Sequence, residues 1–232
     1  MRRCSFLLLI LLISYRPLSA QARFDDVSAK AGMQTPGQFT GVAVADYDGD
    51  GWDDIYCCRL DGPNQLFRNN GDGTFTDEAP RAGLAFEGAT AAAVWGDLDN
   101  DGDPDLVLGN RALASKLFRN NGDGTFTDIS MASGVTQNGL VQSLCLADVN
   151  NDGLLDIYFA NLRQENSLYL NLGNLQFYNA VYATNTSDPE ISMGVVFVDY
   201  DLDGDPDLYL THDNDIPNIL YQNNGMGRFK NV

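Results

Sequence analysis

The feature that most constrains this chain is a repeat of fixed period. The pattern Asp-x-(Asp/Asn)-x-Asp-Gly-x-x-Asp begins at Asp46, Asp97, Asp148 and Asp199, so consecutive copies lie 51 residues apart. A second marker follows each copy: LFRNNGDGTFTD from Leu66 and Leu117, LYLNLGNLQFYN from Leu168, and LYQNNGMGRFKN from Leu220. A unit this small cannot bury its apolar residues alone. Neighbouring units must share their cores, which makes this a repeat architecture.

Each unit reads as four short strands. The first precedes the acidic loop: Gly41–Ala45, Ala92–Gly96, Ser143–Ala147 and Gly194–Val198. These runs are nearly all apolar or small, which predicts burial on both faces. Their first residue is always small, as a strand crowded near a central axis requires. The second strand follows the loop at Ile55, Leu106, Ile157 and Leu208, and the third opens the second marker. The fourth begins at Phe75, Phe126, Phe177 and Phe229, after Asn-Gly or Asp-Gly hairpin signals in three of the units. The expected fold is all-β: β-propeller blades of four antiparallel strands each. One mismatch stands out. Phe24–Ser28 reads as a further fourth strand, redundant for a closed four-bladed ring because the last unit carries its own. The expectation is therefore an incomplete propeller, a fragment of a longer one.

The acidic loops read as metal sites. Eighteen of the 32 acids fall in four nine-residue windows, where they repel one another unless a cation sits among them. Oxygens recur at loop positions 1, 3, 5 and 9. The candidate ligands are Asp46, Asp48, Asp50 and Asp54; Asp97, Asp99, Asp101 and Asp105; Asp148, Asn150, Asp152 and Asp156; Asp199, Asp201, Asp203 and Asp207. Position 6 is Gly in every copy, which permits the positive φ that turns a loop back around an ion. An oxygen-only donor set selects Ca²⁺ over zinc or copper, about four ions at one per repeat; Mg²⁺, which needs a tighter octahedron, is the second choice, and Mn²⁺ stays open as a substitute. The third loop has Asn150 in place of a carboxylate and is expected to bind most weakly. An EF-hand is excluded, since position 12 is Cys57, Leu108, Phe159 or Leu210 rather than Glu. The second marker has fewer oxygens at ligand spacing and reads as a turn.

The formal net charge of −18 argues against nucleic acid or an anionic membrane as partner. Residues 1–22 read as a secretory signal peptide: Arg2 and Arg3, an apolar run from Phe6 to Ile13, then Ala20-Gln21-Ala22. The mature chain, from residue 23, is expected to be secreted or held in the cell envelope, with no membrane span. Cys57, Cys58 and Cys145 read as buried free thiols rather than a disulfide framework.

The Asp loops, the N-x-L-(F/Y)-x-N-x-G turns and the F-x-(D/N)-(V/I) starts together resemble the FG-GAP/VCBS repeat family, in particular its secreted cartilage-acidic-protein and ASPIC/UnbV-type branch. The resemblance covers residues 23–232. It implies a propeller whose loops bind Ca²⁺ between the first and second strands of each blade, at the sixteen side chains above. The FG-GAP tripeptides themselves are not visible here, and no ASPIC/UnbV-type domain follows Val232.

Two functions compete. The first is a non-catalytic, calcium-stiffened module that binds extracellular protein or glycan. The loops between second and third strands vary most, and repeats that keep one face uniform and vary the other bind on the varied face. Arg111, Arg163, Glu165 and His212 are candidates there, with His212 read as a surface residue. The second is a calcium-dependent polysaccharide lyase or hydrolase. The acids, however, are regular loop residues with no poised pair, and His212 has no Ser or Cys partner in the sequence pattern. The first reading is preferred, with no catalytic residue assigned.

Overall fold

The computed structural model describes residues 24–232. The signal-peptide assignment to residues 1–22 lies outside the described residues. The first blade comprises β1 (Phe39–Ala45), β2 (Asp54–Arg59), β3 (Gln65–Asn69) and β4 (Phe75–Asp77), followed by α1 (Ala79–Ala82). The second comprises β5 (Thr90–Gly96), β6 (Asp105–Asn110), β7 (Lys116–Asn120) and β8 (Phe126–Asp128), then α2 (Ser130–Ser133). The third comprises β9 (Val141–Ala147), β10 (Asp156–Asn161), β11 (Ser167–Asn171) and β12 (Phe177–Asn179), then α3 (Val181–Thr184). The fourth comprises β13 (Ser192–Val198), β14 (Asp207–His212), β15 (Ile219–Asn223) and β16 (Phe229–Asn231). Each blade is a separate four-stranded sheet in chain order, antiparallel throughout.

Three cores lie between successive blades. The first gathers Tyr56, Leu66, Leu106 and Phe126 around Tyr47, with Trp95 stacked 6.3 Å from the Tyr47 ring. The second centres on Leu98, Val107, Ile157 and Phe159, and the third on Val149, Tyr158, Leu208 and Tyr221. The first strands line the inside and pack in sequence, β1 on β5, β5 on β9 and β9 on β13. Their small leading residue is needed where it was expected: a Cβ added to Gly41 would lie 2.7 Å from the Ala91 carbonyl oxygen.

Two strand expectations need correction. The first strands are not all buried on both faces. Val42 and Val44 of β1 are 63% and 56% exposed, and Val196 and Val198 of β13 are 50% and 43% exposed. β1 and β13 each have a neighbouring blade on one flank, and they do not pack on each other as the inner pairs do. The four blades form an open arc. Phe24–Ser28 is not a strand either. β16 already pairs with β15, the strand that this segment would have completed, so its place in the blade is taken. It forms a turn instead. Asp26 Oδ1 accepts the Ser28 N–H at 2.9 Å, and the Ala31 carbonyl accepts the Phe75 N–H at 2.8 Å. Gly32 (φ +79°) thus stands against the start of β4, as Gly83 and Gly134, which close α1 and α2, stand against β8 and β12.

Candidate metal centres

Every acidic loop is wound by the same hydrogen bonds. The position-1 aspartate is the hub. Asp46, Asp97, Asp148 and Asp199 accept the N–H of position 5 on Oδ1 at 3.1, 3.1, 3.1 and 3.2 Å. Their Oδ2 atoms accept the N–H of the position-6 Gly at 2.8, 3.0, 2.8 and 3.1 Å. The position-5 carboxylate then accepts the N–H of position 7 at 2.9 to 3.0 Å, an Asx turn. Two residues in each loop are left-handed. One is the position-6 Gly, at φ of +88°, +97°, +85° and +94°; the other is position 4, which is Gly49, Asn100, Asn151 and Leu202.

This winding brings positions 1, 3 and 5 together. In the first, second and fourth loops one oxygen from each of Asp46, Asp48 and Asp50, of Asp97, Asp99 and Asp101, and of Asp199, Asp201 and Asp203 lies within 4.8 Å of the others. The third loop keeps the same hydrogen bonds around Asp148, but Asn150 Nδ2 donates to Asp152 Oδ2 at 2.9 Å. That amide supplies positive character from within.

Position 9 is not among the oxygens that lie within 4.8 Å of one another. Asp54, Asp105, Asp156 and Asp207 are buried, and both oxygens accept backbone N–H groups. Oδ2 holds the N–H of loop position 2 (Tyr47, Leu98, Val149, Tyr200) at 3.0 to 3.3 Å. Oδ1 holds the N–H of Asn69, Asn120, Asn171 or Asn223, at the end of the third strand, at 2.7 to 2.8 Å. These four aspartates tie the loop to its own blade. Burial pushes Asp54 up to about 6 and Asp105 and Asp156 up to about 7; backbone donors oppose the shift and neighbouring loop carboxylates add to it.

The donor set fits a hard cation. Asp48 Oδ1 and Asp99 Oδ1 are buried and have no hydrogen-bond partner among the described residues. A buried anionic oxygen without a donor is costly unless a positive charge meets it. All candidate ligands are oxygens, the chemistry of Ca²⁺.

The sequence reading passed over two sets of residues. Arg68 on β3 reaches across to Asp48 and Asp50. Its counterparts differ: Gln222 Nε2 donates to Asp201 Oδ2 at 2.6 Å, Arg119 turns to Asn121 at 3.3 Å, and Leu170 offers no donor. The second set is the marker Asn. Nδ2 of Asn120, Asn171 and Asn223 donates to the Tyr47, Leu98 and Val149 carbonyls of the preceding blade at 2.9, 2.8 and 2.8 Å. Its recurrence in all four markers was the available signal. The rest of the marker is a closed turn, with Asn70 N–H donating to the Thr74 carbonyl at 3.0 Å.

The varied loops emerge at the opposite end of the strands from the acidic loops, since β1, β5, β9 and β13 begin beside them and end at the acids. His212 is not a surface residue. Its side chain is fully buried between Asp188 Oδ2, 2.8 Å from Nε2, and the Pro217 carbonyl, 2.7 Å from Nδ1. Glu165 accepts the Tyr182 hydroxyl. Cys57, Cys58 and Cys145 are free thiols, and burial pushes Cys58 up to about 12. Among the described residues no helix is long and apolar enough to cross a membrane.

A family model described as FG-GAP-like repeat matches three overlapping stretches, residues 46–108, 97–159 and 148–210. Cartilage acidic protein 1 from Homo sapiens is 32% identical over 199 residues, covering 81% of this chain and 30% of that protein. The Xenopus tropicalis protein is 29% identical over 201 residues, covering 81% and 31%. The chain thus spans about a third of the length of these relatives. Two solved structures are also similar. One is an Agrocybe aegerita lectin that recognises non-reducing terminal N-acetylglucosamine (21% identity, TM-score 0.48, 81% of this chain and 50% of that one). The other is the V. cholerae biofilm matrix protein Bap1 (16% identity, TM-score 0.49, 83% and 30%).

Proposed function

Because the chain belongs to the FG-GAP-like repeat family, we propose that it is a calcium-stiffened, non-catalytic binding module, exported behind residues 1–22, whose varied face takes an extracellular protein or glycan. The observation that carries the metal reading is the buried Asp99 Oδ1, which has no hydrogen-bond partner among the described residues, inside a converging carboxylate trio; in the first loop Arg68 already meets the Asp48 carboxylate. The residues that would hold an ion are the aspartates at positions 1, 3 and 5, with Asn150 in the third loop. The position-9 aspartates fix the loop's shape from behind. A bound Ca²⁺ would neutralise the trios and so favour the folded state. The relationship to cartilage acidic protein 1 supports a binding role over a catalytic one.

The test is a Ca²⁺ titration of the chelator-stripped chain, following heat and melting temperature together. About four sites with a rise in melting temperature is the expected result, by linkage. A folded chain that takes up no calcium would overturn the metal reading. The third loop should be weakest, and Asn150→Asp should strengthen it; a ranking with the third loop tightest would contradict this assignment.

A further inference from the structure

At the end of the blades away from the acidic loops lies a cleft of about 400 Å³, shared by blades two, three and four. Its charge runs against the rest of the molecule. In a chain of net charge −18, this cleft presents two guanidinium groups, Arg111 and Arg163, against one carboxylate, Asp213. Arg111 Nη2 donates to Gln142, while its Nε is buried and has no partner among the described residues. The Arg163 side chain has no hydrogen bond or ion pair among the described residues.

A bulge near the start of every first strand, at Thr40, Ala91, Gln142 and Met193, shapes this end of the blades. The register of β9 on β10 skips Gln142, and that of β13 on β14 skips Met193, so both are bulge residues; bulges re-aim side chains. Both line the cleft. Leu140, Arg163 and Asn214, also in its walls, are left-handed at φ of +56°, +57° and +59°. Leu140 shares this conformation with Ala89, 51 residues before it, and Arg163 with Asn214, 51 residues after it, so these turns are set by the repeat.

We propose that this cleft binds the carboxylate of an acidic sugar, of the hexuronate class. The proposal rests on the reading of the varied face as a binding surface and names its ligand chemistry. Two guanidinium groups, one with an unmet buried N–H, are donors for a carboxylate. Asp213 and Asn214 offer acceptors for ring hydroxyls. Leu162 and Met193 offer apolar surface for the C–H face of a sugar. The volume is at the lower end of small-ligand sites, roughly 300–1,000 Å³. A polyphosphate is disfavoured, because Asp213 and the overall field repel dense negative charge. An acidic peptide would bind along an extended groove or edge, and this is a bounded hollow.

The experiment uses the full chain with calcium, labelled with ¹³C at its methionine methyls. The probes are methyl β-D-glucuronide, its methyl ester and methyl β-D-glucoside. The expected result is a saturable shift at Met193 with the glucuronide, weaker by about tenfold or more with either neutral sugar. Arg163→Gln should weaken the glucuronide by about tenfold, and because Arg163 is exposed and unpartnered the fold should persist. Arg111→Gln should do likewise, with the unliganded methyl spectrum reporting folding. Equal response to the ester, no change in Arg163→Gln, or equal binding of N-acetyl-aspartate amide would overturn the proposal. A glycan screen separates the two readings. Glycan binding with a silent Met193 would sink the cleft and leave the module standing. A glucuronide shift that survives chelator would uphold the cleft even if the metal reading failed.

Discussion

At the scale of single residues, what matters is which charge meets each carboxylate. Arg68 reaches Asp48 and Asp50 from β3 and stands where a cation would otherwise balance them. Calcium entering the first loop must displace it. Arg68→Leu, matching Leu170 in the third blade, should therefore raise first-loop affinity about fivefold, close to the ~1 kcal/mol of a part-exposed ion pair. Trp52 sits at position 7 of that loop, so terbium luminescence sensitised by Trp52 reads this site, and unchanged affinity would contradict the prediction. Leu202 offers a second test. It holds φ +62° and is 86% exposed, at a position that is Gly or Asn in the other three loops. Leu202→Asn should stabilise the chain by about 1 kcal/mol, read as a higher urea midpoint.

At the scale of elements, the blades are joined by more than apolar contact. Each third strand ends in an Asn whose side chain crosses to the loop of the blade before it, in every blade that has a predecessor. Asn171 is buried and bonds both the Leu98 and Leu155 carbonyls. Asn171→Ala should cost about 1–3 kcal/mol, because it strands buried acceptors. In Asn69, the first-blade counterpart, Nδ2 donates, among the described residues, only to the Asp53 carbonyl of its own blade at an exposed site. Asn69→Ala should cost less, and equal losses in chemical denaturation would show that the clamp carries no special weight. The repeat made the Asn conspicuous. Its role was not legible, because the acceptor lies 73 residues away along the chain.

At the scale of the whole molecule, buried carboxylates couple folding to pH and to metal. Asp54, Asp105 and Asp156 titrate near 3.8 when unfolded but at about 6, 7 and 7 when folded. A raised carboxylate favours the folded state while it stays protonated. Its contribution is full below the unfolded value and is lost as pH rises through the folded one. The chelated chain should therefore lose melting temperature between about pH 4 and pH 7. Calcium should oppose that loss by neutralising the carboxylates around these groups. Melting curves across this range, with chelator and with calcium, check both statements; a chelated chain that gains stability with rising pH would refute the first.

The sequence by itself determined the four-fold repeat, the strand count of each blade and the winding of each acidic loop, which brings carboxylates of positions 1, 3 and 5 together in the first, second and fourth. These follow from alternation, turn chemistry and left-handed glycines, all read within a few residues. Only the tertiary structure decided which carboxylates brace the loops, since Asp54, Asp105, Asp156 and Asp207 bond to strands that return from the far side of the blade. It also buried His212 beside Asp188, left β1 and β13 uncovered, and turned Phe24–Ser28 away from a strand. Burial and edge pairing depend on which other segment occupies the neighbouring space, and in a stacked repeat that neighbour is supplied by another unit.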